Sequence, residues 1–183
     1  MPSAFGHALF ALSLTPFRPY KAKLLPTILL SVSCAIIPDL DVLGFEYGIP
    51  YDSIFGHRGL SHSIVFAFIL SIIITALFFK EFRKDKIKFL NICWYYFLCT
   101  ISHGLFDAMT TGGLGVGFFT PFLADRYFFS IRPIPVSPLN LQAFFTEYGW
   151  YILKAELQFI GLISFFVLIG GYFWRKYILQ QSS

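Results

Sequence analysis

The chain has 183 residues, the size of one domain, and 56% of them are hydrophobic while only 13% are charged. A soluble domain of this length cannot shield so much apolar surface from water, and the same composition excludes a disordered chain. Three cysteines, an odd number, do not suit a secreted disulfide scaffold. The net charge of +4 would suggest nucleic acid as the partner of a soluble protein, but this composition predicts a single integral membrane domain, residues 1–183, that binds no nucleic acid.

Apolar segments along the chain predict an all-α bundle of about five membrane helices. The first two are short and are expected to form a helical hairpin, with Pro38 ending the second helix. The alternative is one interfacial helix followed by one span. The other three are long enough, at about 1.5 Å per residue, to cross a hydrocarbon core of about 30 Å. The predicted helices are residues 3–15, 24–37, 60–79, 89–109 and 149–174, and residues 110–148 form the longest connection.

The basic residues cluster in three places and predict the orientation in the membrane. They lie between the first two helices, before the fourth helix and after the last one: Arg18, Lys21, Lys23, Lys80, Arg83, Lys84, Lys86, Lys88, Arg175 and Lys176. Five helices place all three clusters on one side, which the positive-inside rule assigns to the cytoplasm. We therefore expect a membrane protein with its N-terminus outside and its C-terminus inside. A cleavable signal peptide is not expected, because no basic residues precede the first apolar segment.

All four histidines fall at the predicted outer end, together with four aspartates. These residues are His7, His57, His62 and His103, with Asp39, Asp41, Asp52 and Asp107. The orientation was derived from Lys and Arg alone, so this convergence is independent of it. Imidazole and carboxylate groups are ligands for zinc, manganese and iron. The sequence therefore predicts a metal site at the outer end.

The pair His103 and Asp107 is the sharpest of these signals. Residues four apart on a helix share one face, with Cβ atoms about 6 Å apart, so one ion can bind both side chains. The alternative is a neutral histidine that hydrogen-bonds to an aspartate for packing. Ionisable groups near the end of a membrane span are costly and usually functional, which favours the metal.

The motif PDLD places Asp39 and Asp41 after the second helix. Alternating carboxylates can bridge two ions, and the alternative is that one of them caps the next segment.

The motif HRGLSHS places His57 and His62 on either side of Arg58. An arginine there suits a phosphate or a carboxylate. The alternative is that Arg58 pairs with Asp52 or Asp107 and that the two histidines are interfacial.

Other polar residues give weaker signals. Glu156, inside the last helix, is a further metal ligand or the partner of a group such as Lys154. The loop charges Asp125, Arg126 and Arg132 are expected to be solvated, with the alternative that an arginine on the outer side holds a phosphate. Ser61 and Ser63 have no separate base, so they do not predict a serine hydrolase.

The motifs PDLD, HRGLSHS and SHGLFDAMTTGG, preceded by His7, resemble those of the bacterial membrane-bound metal-dependent hydrolases of the LexA-regulated, YdjM-like family, over about residues 4–122. This resemblance implies a multi-pass inner-membrane hydrolase. The order of the residues is also similar to that of zinc-dependent phospholipases C. That pattern implies as ligands His7, Asp39 or Asp41, His57 or His62, His103 and Asp107. This chain departs from that pattern at the downstream HxxxE motif, because Ile152 and not a histidine stands four residues before Glu156. A third ion is therefore not implied.

The residues and the resemblance together predict a hydrolase with one or two divalent ions, zinc first, with manganese or iron as alternatives. Its expected substrate is a phosphoester of a membrane lipid or lipid-linked molecule at the outer headgroup plane. Asp39 or Asp41 would act as bridging ligand or general base, and Arg58 would neutralise developing phosphoryl charge. The alternatives are a divalent-metal transporter or sensor, and a scaffold whose metal holds an outer loop in place.

Overall fold

The computed structural model describes residues 1–19, 22–138 and 141–181, and this part of the chain is all-helical, with isolated bridges but no β-strand. Lys21, which belongs to the predicted basic cluster between the first two helices, lies outside the described residues. Three helical stretches are long and apolar enough to cross a membrane: Leu24–Tyr47, Lys86–Ala108 and Glu147–Gln180. Two shorter apolar helices, Ala4–Ser13 and Ile64–Phe78, complete the bundle. The prediction of a helical membrane protein is confirmed.

The first two helices are α1, Ala4–Ser13, and α2, Leu24–Ile36. We expected Pro38 to end the second helix, and α-helical geometry does end there. The chain nevertheless continues as a 3₁₀-helix over Ile37–Tyr47, because proline is tolerated in a first turn. Since Pro38 has no N–H, the 3₁₀ hydrogen bond to the carbonyl of Ala35 cannot form. That carbonyl is therefore left to accept a hydrogen bond from elsewhere.

Helix α3, Ile64–Phe78, begins four residues later than the predicted start at residue 60. Its N-cap is Ser63, whose Oγ accepts a hydrogen bond from the backbone N–H of Phe66 at 3.0 Å. The preceding residues Leu60–His62 form a 3₁₀ turn, so His62 lies before the helix rather than in it. Helix α4, Lys86–Ala108, carries the pair His103 and Asp107 in its last two turns.

The last membrane-spanning stretch is interrupted by a π-helical segment. A short helix α5, Leu141–Phe144, precedes α6, Glu147–Glu156. The π segment Leu157–Gly161 follows, and then α7, Leu162–Gln181. Single π turns are rare and often occur at functional positions.

Glu156, directly before the π segment, is buried and joins this last span to α1. Its carboxylate accepts hydrogen bonds from the backbone N–H of Ser3 and, at 2.5 Å, from the Ser3 hydroxyl. A Cβ at Gly6 would lie 3.0 Å from Glu156 Oε2, so a glycine is needed for this close approach. Of the two expected roles for Glu156, pairing is the one observed, but its partner is Ser3, and Lys154 is exposed.

The bundle has two chemically different ends. At the site end, α1 and α3 begin while α2 and α4 finish, and residues 48–63 and 109–138 cover them. At the basic end, Arg175 Nη1 donates to the carbonyls of Pro16 at 3.2 Å and Arg18 at 3.1 Å, which ties α7 to the turn after α1. Between the ends, α2, α3 and α4 pack around the buried side chains of Ile92 and Tyr96.

Substituting Glu156 with alanine is expected to destabilise the bundle. The variant Glu156→Ala leaves the N–H and O–H of Ser3 without an acceptor in an apolar setting, at a cost of about 1–3 kcal/mol. The free energy of unfolding, measured by SDS titration in mixed micelles, should fall accordingly. Lys154→Ala, an exposed position on the same helix, is the matched control and should leave it unchanged. Equal stability of the two variants would contradict the role of this contact.

Candidate metal centre

Four buried side chains from three parts of the chain converge at the site end. They are Asp39 on the 3₁₀-helix after α2, His62 on the turn before α3, and His103 and Asp107 on α4. One ligand atom from each lies within 4.8 Å of the ligand atoms of the other three. The side chain of Asp39 is 10% exposed and the other three are fully buried. This arrangement brings two imidazoles and two carboxylates to one point.

The separations between the ligand atoms suit a single tetrahedral ion. Asp39 Oδ1 lies 3.2 Å from His103 Nε2 and 3.6 Å from His62 Nε2. Asp107 Oδ2 lies 3.4 Å from His62 Nε2 and 4.0 Å from His103 Nε2, and the two Nε2 atoms are 3.0 Å apart. A tetrahedral zinc ion with bonds of about 2.0–2.2 Å separates its ligand atoms by about 3.4 Å. The observed distances lie on both sides of that value.

The hydrogen bonds behind the two histidines fix which ring nitrogen faces the cluster. His103 Nδ1 lies 2.7 Å from the carbonyl oxygen of Ala35, which can only accept, so Nδ1 is the donor. His62 Nδ1 lies 2.9 Å from Ser61 Oγ and 3.1 Å from Asp41 Oδ2, and since the Ser61 hydroxyl gives its own hydrogen to Asp41, Nδ1 is the donor here too. Both neutral rings therefore direct the lone pair of Nε2 inward, as metal-bound histidines do.

The carboxylates at this site require positive charge. Burial alone would lower the pKa of His62, but Asp107, Asp39 and Asp41 outweigh burial and raise that pKa well above its ordinary value. A proton on His62 is one source of the required charge, and a divalent ion is the other.

Unpartnered oxygens support the second source. Both carboxylate oxygens of Asp39 and both of Asp107 are buried and have no hydrogen-bond partner. A buried carboxylate without a partner is strongly unfavourable. Coordination of a cation would satisfy these oxygens, so the residues present fit a divalent metal ion.

Asp41 and His57, both predicted as ligands, lie behind His62 rather than at the convergence point. Asp41 accepts hydrogen bonds from His57 Nδ1 at 2.6 Å, from Ser61 Oγ at 2.5 Å and from the backbone N–H of Arg58 at 3.1 Å. Asp41, His57 and His62 form a second group that could hold an ion, but this group would use Nδ1 of the shared His62. In the four-residue arrangement, Asp41 orients His62 and His57 orients Asp41.

His7 lies against the other side of Asp107. Its ring stacks on that of His103, with centroids 3.8 Å apart, and its Nε2 lies 3.5 Å from Asp107 Oδ1. Both ring nitrogens are buried without a hydrogen-bond partner. Since Oδ2 of Asp107 faces His62 and Oδ1 faces His7, the carboxylate is placed to bridge two ions.

Arg58 is buried beneath the site and holds Asp107. Its Nε lies 3.1 Å from Asp107 Oδ2, while Nη1 donates to the Gly112 carbonyl at 2.9 Å and Nη2 to Thr110 Oγ1 at 3.0 Å. Its backbone has a φ of 64°, a strained conformation for a residue with a side chain. Of the expected pairings, Arg58 makes the one with Asp107, and His57 and His62 are buried rather than interfacial.

The sequence prediction for Arg126 was wrong, because this residue is not a solvated loop charge. Its Nη1 donates to the carbonyl of His57 at 2.7 Å, and its Nη2 to those of Tyr51 at 2.9 Å and Ser53 at 3.0 Å. These carbonyls lie in an irregular loop and need donors once it folds over the site. No local signal in the sequence indicates such a contact.

The other expected polar residues lie where simpler roles suffice. Asp125 and Arg132 are exposed, as predicted. Asp52 is also exposed and belongs to neither group of candidate ligands. Ser61 supports Asp41.

A helical membrane protein with a buried His/Asp centre is the class that the fold and the site define. The family model of the YdjM inner membrane protein matches residues 3–181, and the chain belongs to that family. It is 35% identical over 179 residues to the inner membrane protein YbcI of Escherichia coli (strain K12), which covers 96% of this chain and 99% of that protein. No solved structure matches. The resemblance predicted over residues 4–122 is confirmed and extends through the last helix.

Removal of one ligand should remove the metal. His103→Ala is expected to lose the ion, because His103 Nε2 is one of the four converging atoms. His57→Ala is the matched control and should retain it, because the His57 side chain hydrogen-bonds to Asp41 and supplies none of the four converging atoms. Elemental analysis of the detergent-purified proteins gives the stoichiometry. Loss of metal in His57→Ala with retention in His103→Ala would assign the ion to the second group instead.

Asp41 should tune the affinity for the metal without supplying a ligand. The substitution Asp41→Ala removes the acceptor that fixes the His62 ring and is expected to weaken binding about 10- to 100-fold. Competition with a chromogenic chelator measures this change. Asp52→Ala removes an exposed carboxylate from the same region and should bind like the wild type. An unchanged affinity in Asp41→Ala would show that Asp41 does not position His62.

Proposed function

We propose that this chain is a membrane-embedded metal-dependent hydrolase that cleaves a phosphoester of a lipid or lipid-linked substrate. The observation that carries the proposal is the set of buried carboxylate oxygens of Asp39 and Asp107, which accept no hydrogen bond although Arg58 forms an ion pair with Asp107, and which face the Nε2 lone pairs of His62 and His103. Ionisable groups at such depth in a membrane protein are costly and are typically functional.

A divalent ion held by His62, His103 and Asp107 would keep a fourth position for a water molecule, would lower the pKa of that water towards neutrality and would polarise a phosphoryl oxygen. Two imidazoles at tetrahedral spacing favour zinc, while manganese and iron accept the same donors with additional ligands. The protein contributes the buried surroundings and the fixed direction of each ligand atom.

Asp39 lies on the side from which a substrate would approach, because its side chain is the most exposed of the four. It is therefore the best placed carboxylate to accept a proton from a reacting water. Asp41 is less suited to that role, because its oxygens already accept several hydrogen bonds.

Arg58 brings a permanent positive charge next to a ligand oxygen of Asp107. Such a charge would stabilise the negative charge that develops on a phosphoryl group. We propose that its main action passes through Asp107, because Nε faces Asp107 and Nη1 and Nη2 each donate to the 110–112 segment.

The membrane orientation supports a lipid substrate in this proposal. The basic clusters around Arg18 and Lys23, from Lys80 to Lys88, and at Arg175 and Lys176 lie at the end of the bundle opposite to the site, whereas Arg58 and Arg126 belong to the site end. By the positive-inside rule the end with these clusters faces the cytoplasm. We infer that the N-terminus lies outside, the C-terminus lies in the cytoplasm, and the site lies near the outer headgroup plane of the inner membrane.

A second candidate function is a closed structural or sensory metal site. Four protein ligands already complete a tetrahedron, as in structural zinc sites, whereas catalytic zinc sites keep one position open. In this alternative the metal would stabilise the loops that cover the site end.

Turnover of lipid phosphoesters tests the proposal. The metal-loaded wild type, incubated in mixed micelles with phosphatidylglycerol, phosphatidylethanolamine and phosphatidic acid, should release phosphorus-containing products that ³¹P NMR detects. Asp107→Ala should lose both metal and turnover, while the exposed Asp52→Ala should keep both.

Hydrolysis that survives in Asp107→Ala would refute the assignment of the site. Metal that withstands dialysis against a chelator, with no turnover of any lipid, would support the second candidate. Metal uptake into sealed proteoliposomes would indicate transport instead.

A further inference from the structure

A groove at the basic end, remote from the metal centre, has the shape and chemistry of a lipid site. It has a volume of about 580 Å³ and lies between α4, the turn after α1 and α7. It is lined by Phe17, Arg18, Pro19, Asn91, Trp94, Tyr95, Leu98 and Trp174. Among these described lining residues there is one cation and no carboxylate.

The α4 wall of the groove changes from polar to apolar along its length. Asn91, Trp94, Tyr95 and Leu98 are spaced at i, i+3, i+4 and i+7, so they share one face of the helix. Asn91 lies nearest the basic end and Leu98 lies two turns deeper. A phospholipid has the same order of chemistry from headgroup to acyl chain.

Arg18 supplies a cation with a buried donor that no described residue satisfies. Its Nε is buried without a hydrogen-bond partner, and its Nη1 makes one long contact, 3.3 Å, with the Thr15 carbonyl. The backbone carbonyl of Arg18 is held by Arg175, so the position of the residue is fixed. A partly buried guanidinium with a free donor calls for an anionic acceptor.

Two tryptophans flank the groove and indicate the depth at which it lies. Trp94 and Trp174 are 62% and 54% exposed, although both belong to apolar helices. Tryptophan is enriched where the hydrocarbon core meets the headgroups. Tyr95 lines the groove between them and is held in place, because its side chain is buried and its hydroxyl lies 3.0 Å from Ser31 Oγ.

Nearby acidic side chains do not compete for Arg18. The acidic residues of the described α3–α4 connection are Glu81 and Asp85, which do not line the groove, and Asp85 is paired with Lys88 at 2.7 Å. Basic grooves between membrane helices are typical sites for anionic headgroups.

We propose that this groove binds one anionic phospholipid. The phosphate lies against Arg18 and Asn91, and an acyl chain runs along Trp94 and Leu98. This binding site is independent of the metal centre and of the proposed hydrolase activity.

Native mass spectrometry of the full-length protein tests the proposal with two lipids that carry the same acyl chains, phosphatidylglycerol and phosphatidylcholine. The wild type should retain one phosphatidylglycerol in preference to phosphatidylcholine. Arg18→Gln should weaken phosphatidylglycerol binding about fivefold, because one basic residue near the headgroups is lost, and should leave phosphatidylcholine unchanged. Trp94→Ala should weaken both lipids, because the wall for the acyl chain is removed.

Lys80→Gln is the matched control, since it removes one exposed cation at the same end but outside the groove. Its binding of phosphatidylglycerol should equal that of the wild type. Equal losses in Lys80→Gln and Arg18→Gln would overturn the proposal in favour of general surface charge. Displacement of the lipid by millimolar inorganic phosphate would overturn it in favour of a free-phosphate site. If Arg18→Gln does not fold, unchanged binding in Trp94→Ala overturns the proposal on its own.

Discussion

The burial of the Asp107 carboxylate is the constraint on which the rest of the site end depends. A carboxylate at zero exposure in a membrane bundle is tolerated only with positive or coordinating groups around it. Two separate segments supply such groups: the HRGLSHS segment, with Arg58 at 3.1 Å and His62 at 3.4 Å, and helix α1, with His7 at 3.5 Å. The loops that cover the site, including the left-handed backbone at Arg58, bring these groups to the Asp107 side chain. Neutralisation of the Asp107 charge therefore constrains the fold around it as much as packing does.

The two inner histidines are oriented by different partners, and both partners depend on features of the PDLD region. The missing N–H of Pro38 leaves the Ala35 carbonyl to accept from His103 at 2.7 Å. Asp41, three residues after Pro38, accepts a hydrogen bond from His62 Nδ1 at 3.1 Å. One short motif therefore fixes the tautomer of a histidine on α4 and of another before α3.

Hydropathy and charge were sufficient to predict the helices and the gathering of His and Asp at one end. They could not distinguish Asp39 from Asp41, or His57 from His62, because each choice depends on the path of irregular loops. In each pair one residue faces the convergence point and the other stands behind it. The role of Arg126 depends on backbone carbonyls of a distant loop, which carry no side-chain signal. Local sequence patterns predict which residues gather at the site. The conformation of the loops determines which of their atoms face the convergence point.

Charge balance connects the architecture of the metal centre to its chemistry. With neutral histidines, the carboxylates of Asp39, Asp41 and Asp107 together with the guanidinium of Arg58 carry a net charge of −2 in a buried volume. The α-amino group of Met1 and the carboxylate of Glu156, which also act on this region, have opposite charges and leave that sum unchanged. One divalent ion makes that set neutral, which is the state of lowest cost in a medium of low dielectric constant. A second ion, bridged through Asp107 towards His7, would leave an excess of two positive charges. Such an excess requires an anionic ligand, and a phosphate group carries the matching charge. A one-ion centre is therefore self-sufficient, as a structural site would be, whereas a two-ion centre is complete only with an anionic substrate bound.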